Sequence, residues 1–79
     1  MFKSRFEERN NICGIFIAKL RIRSGFSQRE LAEKMQLIGI DFDKNVIQRI
    51  ETGKRFVTDI ELLAFSQVFG VSADSFLQT

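Results

Sequence analysis

Two helix-start signals, one at Ser27 and one at Asp43, constrain the middle of this chain more than any other feature. Ser27 followed by Glu30 forms a capping box, in which the Ser side chain accepts from a free backbone N–H and the Glu side chain accepts from the Ser backbone. Asp43 is the next residue of a type that caps helices well. Gly53 then ends the second helix, because glycine adopts the left-handed conformation readily. The pattern predicts two short helices in succession, at about 28–36 and 44–52.

Apolar residues recur at helical spacing behind both caps. The residues predicted to point inward are Leu31, Ala32, Met35, Val46, Ile47 and Ile50. The link at 37–42 is longer than the turn of about 3–4 residues that joins the helices of a compact helix-turn-helix. Its Leu37, Ile40 and Phe42 are predicted to fold back onto the core, with Gly39 allowing the bend.

A first helix is predicted from about Asn11 to Ser24. Its inward stripe consists of Ile12, Cys13, Phe16, Ile17 and Leu20. Ile15 and Ile22 fall off this stripe and, with Phe2 and Phe6, form a second apolar patch. This patch is either covered by the N-terminal segment or used for self-association. Residues 1–10 are an N-terminal extension that extends the first helix, packs elsewhere or frays.

A further capping box, Thr58 with Glu61, starts a fourth helix that runs to about Phe69 and ends at Gly70. Its predicted inward residues are Ile60, Leu63, Ala64 and Val68, with some of Leu62, Phe65 and Phe69. A short fifth helix follows a cap at Ser72 and carries Phe76 and Leu77. Because proline is absent and apolar residues do not alternate with polar ones, the sequence predicts an all-α, compact five-helix bundle in one domain, 1–79.

Several classes of protein are not expected. There is no histidine and one cysteine, so a disulfide within the chain is excluded and a Cys/His zinc site is not expected. We interpret Cys13 as a small buried hydrophobe. No catalytic group of residues is visible, so we expect no enzyme activity, small-molecule substrate, cofactor or metal. No apolar run approaches the roughly 20 residues that span a bilayer, and the N-terminus does not resemble a signal peptide, which predicts a cytoplasmic protein.

Charge is unevenly distributed along the chain. Residues 1–40 hold eight basic and four acidic side chains, and residues 60–79 hold only two charged side chains, both acidic. The polar residues of the predicted third helix are Lys44, Asn45, Gln48 and Arg49. These are the side-chain types that bind guanine and adenine edges in the DNA major groove. A solvated surface helix is the alternative interpretation of the same residues.

The sequence resembles the lambda-repressor/Cro-like (XRE-type) helix-turn-helix family over roughly Cys13 to Leu77. The matching segments are LRIRSGFSQ, ELAEKM, VIQRIETGKR and IELLAFSQVFGVSADSFL, in this order. The resemblance implies a bundle of about five helices that binds double-stranded DNA, usually as a dimer on two half-sites. The long link at 37–42 departs from the family pattern. A transcriptional regulator of repressor-like type is therefore expected, and an interaction module or antitoxin-like partner on the same fold is the alternative.

The resemblance also implies roles for individual residues. The positions that face base edges, or reach bases or phosphates one turn later, are Lys44, Asn45, Gln48 and Arg49 of the recognition helix, about 44–52. Gln28, Lys54 and Arg55 are the implied phosphate contacts. Arg21 and Glu51 match a structural ion pair that joins the first helix to the end of the third.

Overall fold

The computed structural model describes residues 9–77 and contains four α-helices and one 3₁₀ helix. The α-helices are α1 (Cys13–Arg23), α2 (Gln28–Leu37), α3 (Lys44–Glu51) and α4 (Asp59–Phe69), and the 3₁₀ helix is Ala73–Leu77. No strand occurs between residues 9 and 77, which confirms the all-α prediction. The fifth element differs from the prediction, because it is a 3₁₀ helix and not an α-helix.

The predicted helix starts are confirmed atom by atom. The Ser27 hydroxyl accepts from the Glu30 backbone N–H at 3.0 Å, and the Glu30 carboxylate accepts from the Ser27 N–H at 2.8 Å. Thr58 and Glu61 form the same reciprocal pair at 3.1 and 3.0 Å. The Asp43 carboxylate accepts from the backbone N–H of Val46 at 2.9 Å. Each such cap contributes about 1 kcal/mol, which matters for helices this short.

One core lies between the helices. Its buried apolar residues are Cys13, Ile17, Leu20, Leu31, Ala32, Met35, Phe42, Ile47, Ile50, Ala64, Phe65 and Phe76. The predicted stripes of the first three helices face this core, with Phe16 and Val46 packed at its edge. The exception is Ile12, which precedes α1 and is not part of the core. Phe76 seats the 3₁₀ helix against α1 through an edge-to-face contact with Phe16, with ring centroids 5.4 Å apart.

The inward face of α4 differs from the prediction at two of its residues. Ile60 and Leu63 were expected in the core, but they are 68% and 56% exposed. The other predicted inward residues do face the core: Ala64 and Phe65 are buried, and Leu62, Val68 and Phe69 pack against it. Apolar residues occur all around this helix, so a periodic pattern does not distinguish its buried side from its exposed side.

The long link between α2 and α3 comprises residues 38–43, one position later than predicted, because α2 continues through Leu37. Phe42 folds back as predicted: it is buried and packs on Phe65, with ring centroids 6.0 Å apart. Ile40 packs at the edge of the core. The prediction for Leu37 is wrong, since this side chain is 85% exposed. Two positions after Met35 in a helix, it points to the side opposite the core.

Part of the predicted second apolar patch lies outside the described residues. This applies to Phe2 and Phe6, and to most of the N-terminal extension at 1–10. Within the described part, Ile22 is exposed and Ile15 is half-buried. None of the helices between residues 9 and 77 combines the length and the apolar character needed to cross a membrane.

Candidate nucleic-acid interface

The outer face of α3 carries four exposed polar side chains. They are Lys44, Asn45, Gln48 and Arg49. On the opposite side of the same helix, Ile47 and Ile50 are completely buried. The helix has eight residues and begins directly after the Asp43 cap. The buried side therefore fixes α3 against the core, and the opposite side presents hydrogen-bond donors and acceptors to solvent.

The carboxylate of Glu51, at the end of α3, accepts hydrogen bonds from side chains of the two preceding helices. Arg21 of α1 binds it through Nε at 2.6 Å and through Nη2 at 3.1 Å. Gln28, the first residue of α2, donates from Nε2 to the same carboxylate at 3.0 Å. Arg21 also donates to the Phe26 carbonyl oxygen at 2.8 Å, which fixes the chain just before α2. The ion pair therefore holds the three helices in one arrangement.

The two cations after α3 have different surroundings. Lys54 is exposed. Arg55 binds Glu61 of α4 through two parallel hydrogen bonds of 2.9 and 3.0 Å, and its guanidinium lies 5.0 Å from the centre of the Phe42 ring. This pairing lowers the pKa of Glu61 and raises that of Arg55. Arg55 thus links the turn after α3 to α4 and to the α2–α3 loop. The sequence offered no signal for the pair, because a spacing of six residues matches no helical neighbour rule.

An open groove of mixed charge runs between α2 and the start of α3. Its lining residues are Arg29, Ala32, Glu33, Gln36, Asp43 and Lys44. Arg29 and Glu33 form an exposed i,i+4 pair with a nitrogen–oxygen distance of 3.9 Å, which contributes little stability. Gln36, one of the lining residues, donates from Nε2 to the Phe42 carbonyl oxygen at 2.6 Å. This bond ties the loop that joins the two helices to the end of α2.

Three residues before α1, whose contacts the sequence does not predict, bind the end of α3. Arg9, Asn10 and Asn11 donate to backbone carbonyl oxygens between positions 50 and 55. Asn11 also accepts from the Gly14 N–H at 2.8 Å, as a helix-capping residue does. That capping ability was the available sequence signal for Asn11. The contacts of Arg9 and Asn10 join positions about forty residues apart, and no local pattern predicts them.

Comparisons with known proteins agree with this architecture. A family model described as helix-turn-helix matches residues 17–76. The crystal structure of the clp gene regulator ClgR from C. glutamicum superimposes with a TM-score of 0.72 at 22% identity, covering 86% of this chain and 82% of that one. At this identity the likeness shows the fold alone. A search of curated proteins finds no match. Because the family model covers most of the chain, and includes both α2 and α3, the protein belongs to the XRE-type helix-turn-helix family.

Proposed function

We propose that the protein is a sequence-specific regulator of transcription, repressor-like in type, that inserts α3 into the major groove of double-stranded DNA. The observation that carries this proposal is the outward face of α3, where Lys44, Asn45, Gln48 and Arg49 lie opposite a completely buried side. The match to the helix-turn-helix family model and the fold shared with ClgR support it.

The chemistry of this face suits base readout. Arg and Lys donate to guanine O6 and N7, and Asn and Gln form paired hydrogen bonds with adenine N6 and N7. Asn45 and Lys44 lie in the first turn of α3, and Gln48 and Arg49 follow in the next turn. In the proposed complex, the first-turn residues reach bases and the second-turn residues reach bases or phosphates.

Phosphate contacts in the proposed complex come from Gln28 and Lys54. The Gln28 amide uses one N–H to bind Glu51, and its second N–H remains as a donor for a phosphate oxygen. Lys54 supplies an exposed point charge after α3. We assign Arg55 a different part, since its guanidinium is already bound to Glu61. It positions Lys54 and the turn, and phosphate contact is secondary for it.

Selection of bound duplexes from a random pool, followed by gel-shift titration at several salt concentrations, tests the proposal. The expected result is a preferred sequence that is bound far more tightly than a scrambled duplex, with affinity falling steeply as salt rises. An absence of salt-sensitive binding to every duplex, selected or scrambled, would contradict it. Two half-sites in the selected pool would indicate a dimer.

For that dimer we propose a second copy of the chain as the occupant of an apolar face formed by Phe56, Ile60 and Leu63. Phe56 is 71% exposed, and Ile60 and Leu63, three apart on α4, share one side of the helix. Phe56 lies between Lys54 and the start of α4, so the proposed face begins close in sequence to the proposed phosphate contact. A two-fold contact between uncharged faces is self-complementary and needs no charged partner.

Light scattering over a concentration series tests the apolar face. Replacing Ile60 and Leu63 together by Ser is expected to shift a wild-type dimer to monomer. Leu37→Ser, at an exposed apolar residue outside this face, is the matched control and is expected to leave the dimer intact. A wild-type monomer at all concentrations, with and without DNA, would overturn the proposal. A dimer that binds no duplex would favour the interaction-module function instead.

A further inference from the structure

Polar side chains preceding α1 hold the C-terminal end of α3 by its backbone. Arg9 donates from Nη2 to the Glu51 carbonyl oxygen at 3.0 Å. Asn11 donates to the carbonyl oxygens of Ile50 and Arg55 at 3.0 and 2.7 Å. Asn10 adds a backbone bond to Gly53 at 2.8 Å and a side-chain bond to Lys54 at 3.0 Å. We call Arg9, Asn10 and Asn11 the N-terminal clamp.

The N-terminal clamp binds carbonyl groups at the C-terminal end of α3. The last four carbonyl groups of an α-helix accept no hydrogen bond from the helix's own backbone N–H groups. In α3, the carbonyl oxygen of Ile50 accepts a hydrogen bond from Asn11, and that of Glu51 accepts one from Arg9. The positive charge of Arg9 also interacts favourably with the partial negative charge at the C-terminal end of the helix. With eight residues, α3 is shorter than the roughly 12–15 at which isolated helices become marginally stable, so it depends on such external contacts.

Two glycines allow the clamp to come this close. A Cβ atom on Gly14 would clash with the Ile50 carbonyl oxygen and lie 2.7 Å from Asn11 Oδ1. A Cβ atom on Gly53 would lie 2.8 Å from the Arg9 side chain, and the φ of Gly53 is +80°. The start of α1 therefore lies against the backbone of the last turn of α3, and the Arg9 side chain lies across Gly53 in the turn that follows.

We propose that Arg9 and Asn11 are positioning residues that set the sequence selectivity of α3 without touching DNA. This inference rests on the proposed DNA-binding function. Paired hydrogen bonds to base edges need a fixed helix, whereas a flexible Lys side chain reaches a phosphate from several helix positions. Loosening the clamp therefore weakens base readout and leaves phosphate binding nearly unchanged.

Arg9→Lys and Asn11→Ser test the inference. Lys keeps the charge but lacks the planar guanidinium, and Ser keeps the capping ability at the start of α1 but is too short to reach both carbonyl groups. For each variant, Kd for the selected duplex is expected to rise about tenfold, the size of one lost hydrogen bond to a charged or buried group. Kd for a scrambled duplex should change by no more than about twofold, with an unchanged salt slope.

The matched control is Arg23→Lys, at an exposed arginine on the last turn of α1. It is expected to alter neither Kd. Equal weakening on both duplexes, or no change on either, would overturn the selectivity role.

Amide hydrogen exchange without DNA separates this inference from the proposed function. In Arg9→Lys, the amides of residues 52–55 should exchange several times faster than in the wild type, while those in the middle of α4 stay unchanged. If the wild type binds no duplex, the DNA-binding function and the selectivity role both fail, and the exchange result then reports on the clamp alone. If duplex selectivity and exchange are both unaffected by the variants, the inference fails while the proposed function stands.

Discussion

Arg21 and Glu51 bind each other through two hydrogen bonds of 2.6 and 3.1 Å, and this pair joins the end of α1 to the end of α3. Their side chains are 15% and 8% exposed, so removing one partner leaves a charge in poorly solvated surroundings. We expect Glu51→Leu to lower the free energy of unfolding by about 3 kcal/mol. Arg21→Met with Glu51→Leu should lose less than the sum of the two single variants, with a coupling of about 1–3 kcal/mol in urea unfolding. Strict additivity would show that the pair contributes nothing.

Gly14→Ala should destabilise the protein although Gly14 lies inside α1. Helix propensity alone predicts a gain of about 1 kcal/mol for this change. The added methyl group would, however, clash with the Ile50 carbonyl oxygen, and such overpacking costs about 1–3 kcal/mol. We expect a net loss in thermal unfolding. In Gly39→Ala, where space is open but φ is +92°, any loss of stability comes from backbone strain and not from a clash, which gives a comparison for the steric effect at Gly14. A rise in melting temperature for Gly14→Ala would contradict the close approach of α1 and α3.

Lys54→Gln and Arg55→Gln should separate phosphate binding from positioning. The slope of log K against log salt is expected to fall by about 0.9 in Lys54→Gln, one counterion's worth, without loss of stability. In Arg55→Gln the slope should fall by less than in Lys54→Gln, whereas stability should fall by about 1 kcal/mol because Glu61 loses its partner. Gel shifts at four salt concentrations and urea unfolding measure both. Equal slopes in wild type and Lys54→Gln would remove Lys54 from the interface.

Asn45→Ala should change the sequence preference of the protein. Its affinity for DNA of arbitrary sequence should change much less. The exposed Asn45 amide lies in the first turn of α3, where a paired hydrogen bond to one base discriminates by about 1–3 kcal/mol. Duplex selection with the variant is expected to lose preference at one base pair in each half-site. A selected pool identical to that of the wild type would show that Asn45 contacts no base.

Acid should weaken the tie between Arg55 and Glu61. The hydrogen bonds from Arg55 hold the pKa of Glu61 below its ordinary value, so the folded state favours the ionised carboxylate. This contribution is complete above the unfolded-state pKa, about 4.3, and is lost as pH falls through the lower folded-state pKa. Between pH 6 and pH 3, the free energy of unfolding should therefore fall by about 1 kcal/mol less in Glu61→Gln than in the wild type. Glu30, whose pKa the Ser27 N–H also lowers, contributes equally to both proteins.

The sequence by itself determined where α2, α3 and α4 begin and, apart from Ile12, which residues of the first three helices face the core. Capping side chains act on backbone groups two or three positions away, and a helix repeats its faces every few residues, so both are readable along the chain. The confirmed starts at Ser27, Asp43 and Thr58 are of this kind. The polar outer face of α3 follows from the same periodicity.

Tertiary structure alone decided the contacts between distant parts of the chain. Packing selected the buried side of α4, which left Ile60 and Leu63 exposed, because a helix with apolar residues all around offers several sides. Arg55 found Glu61, and Arg9 and Asn11 found the carbonyl groups at the end of α3. Backbone carbonyls are present at every residue, so the sequence marks none of them as a partner. Only the approach of α1 to the end of α3, at Gly14, selects which ones are bound.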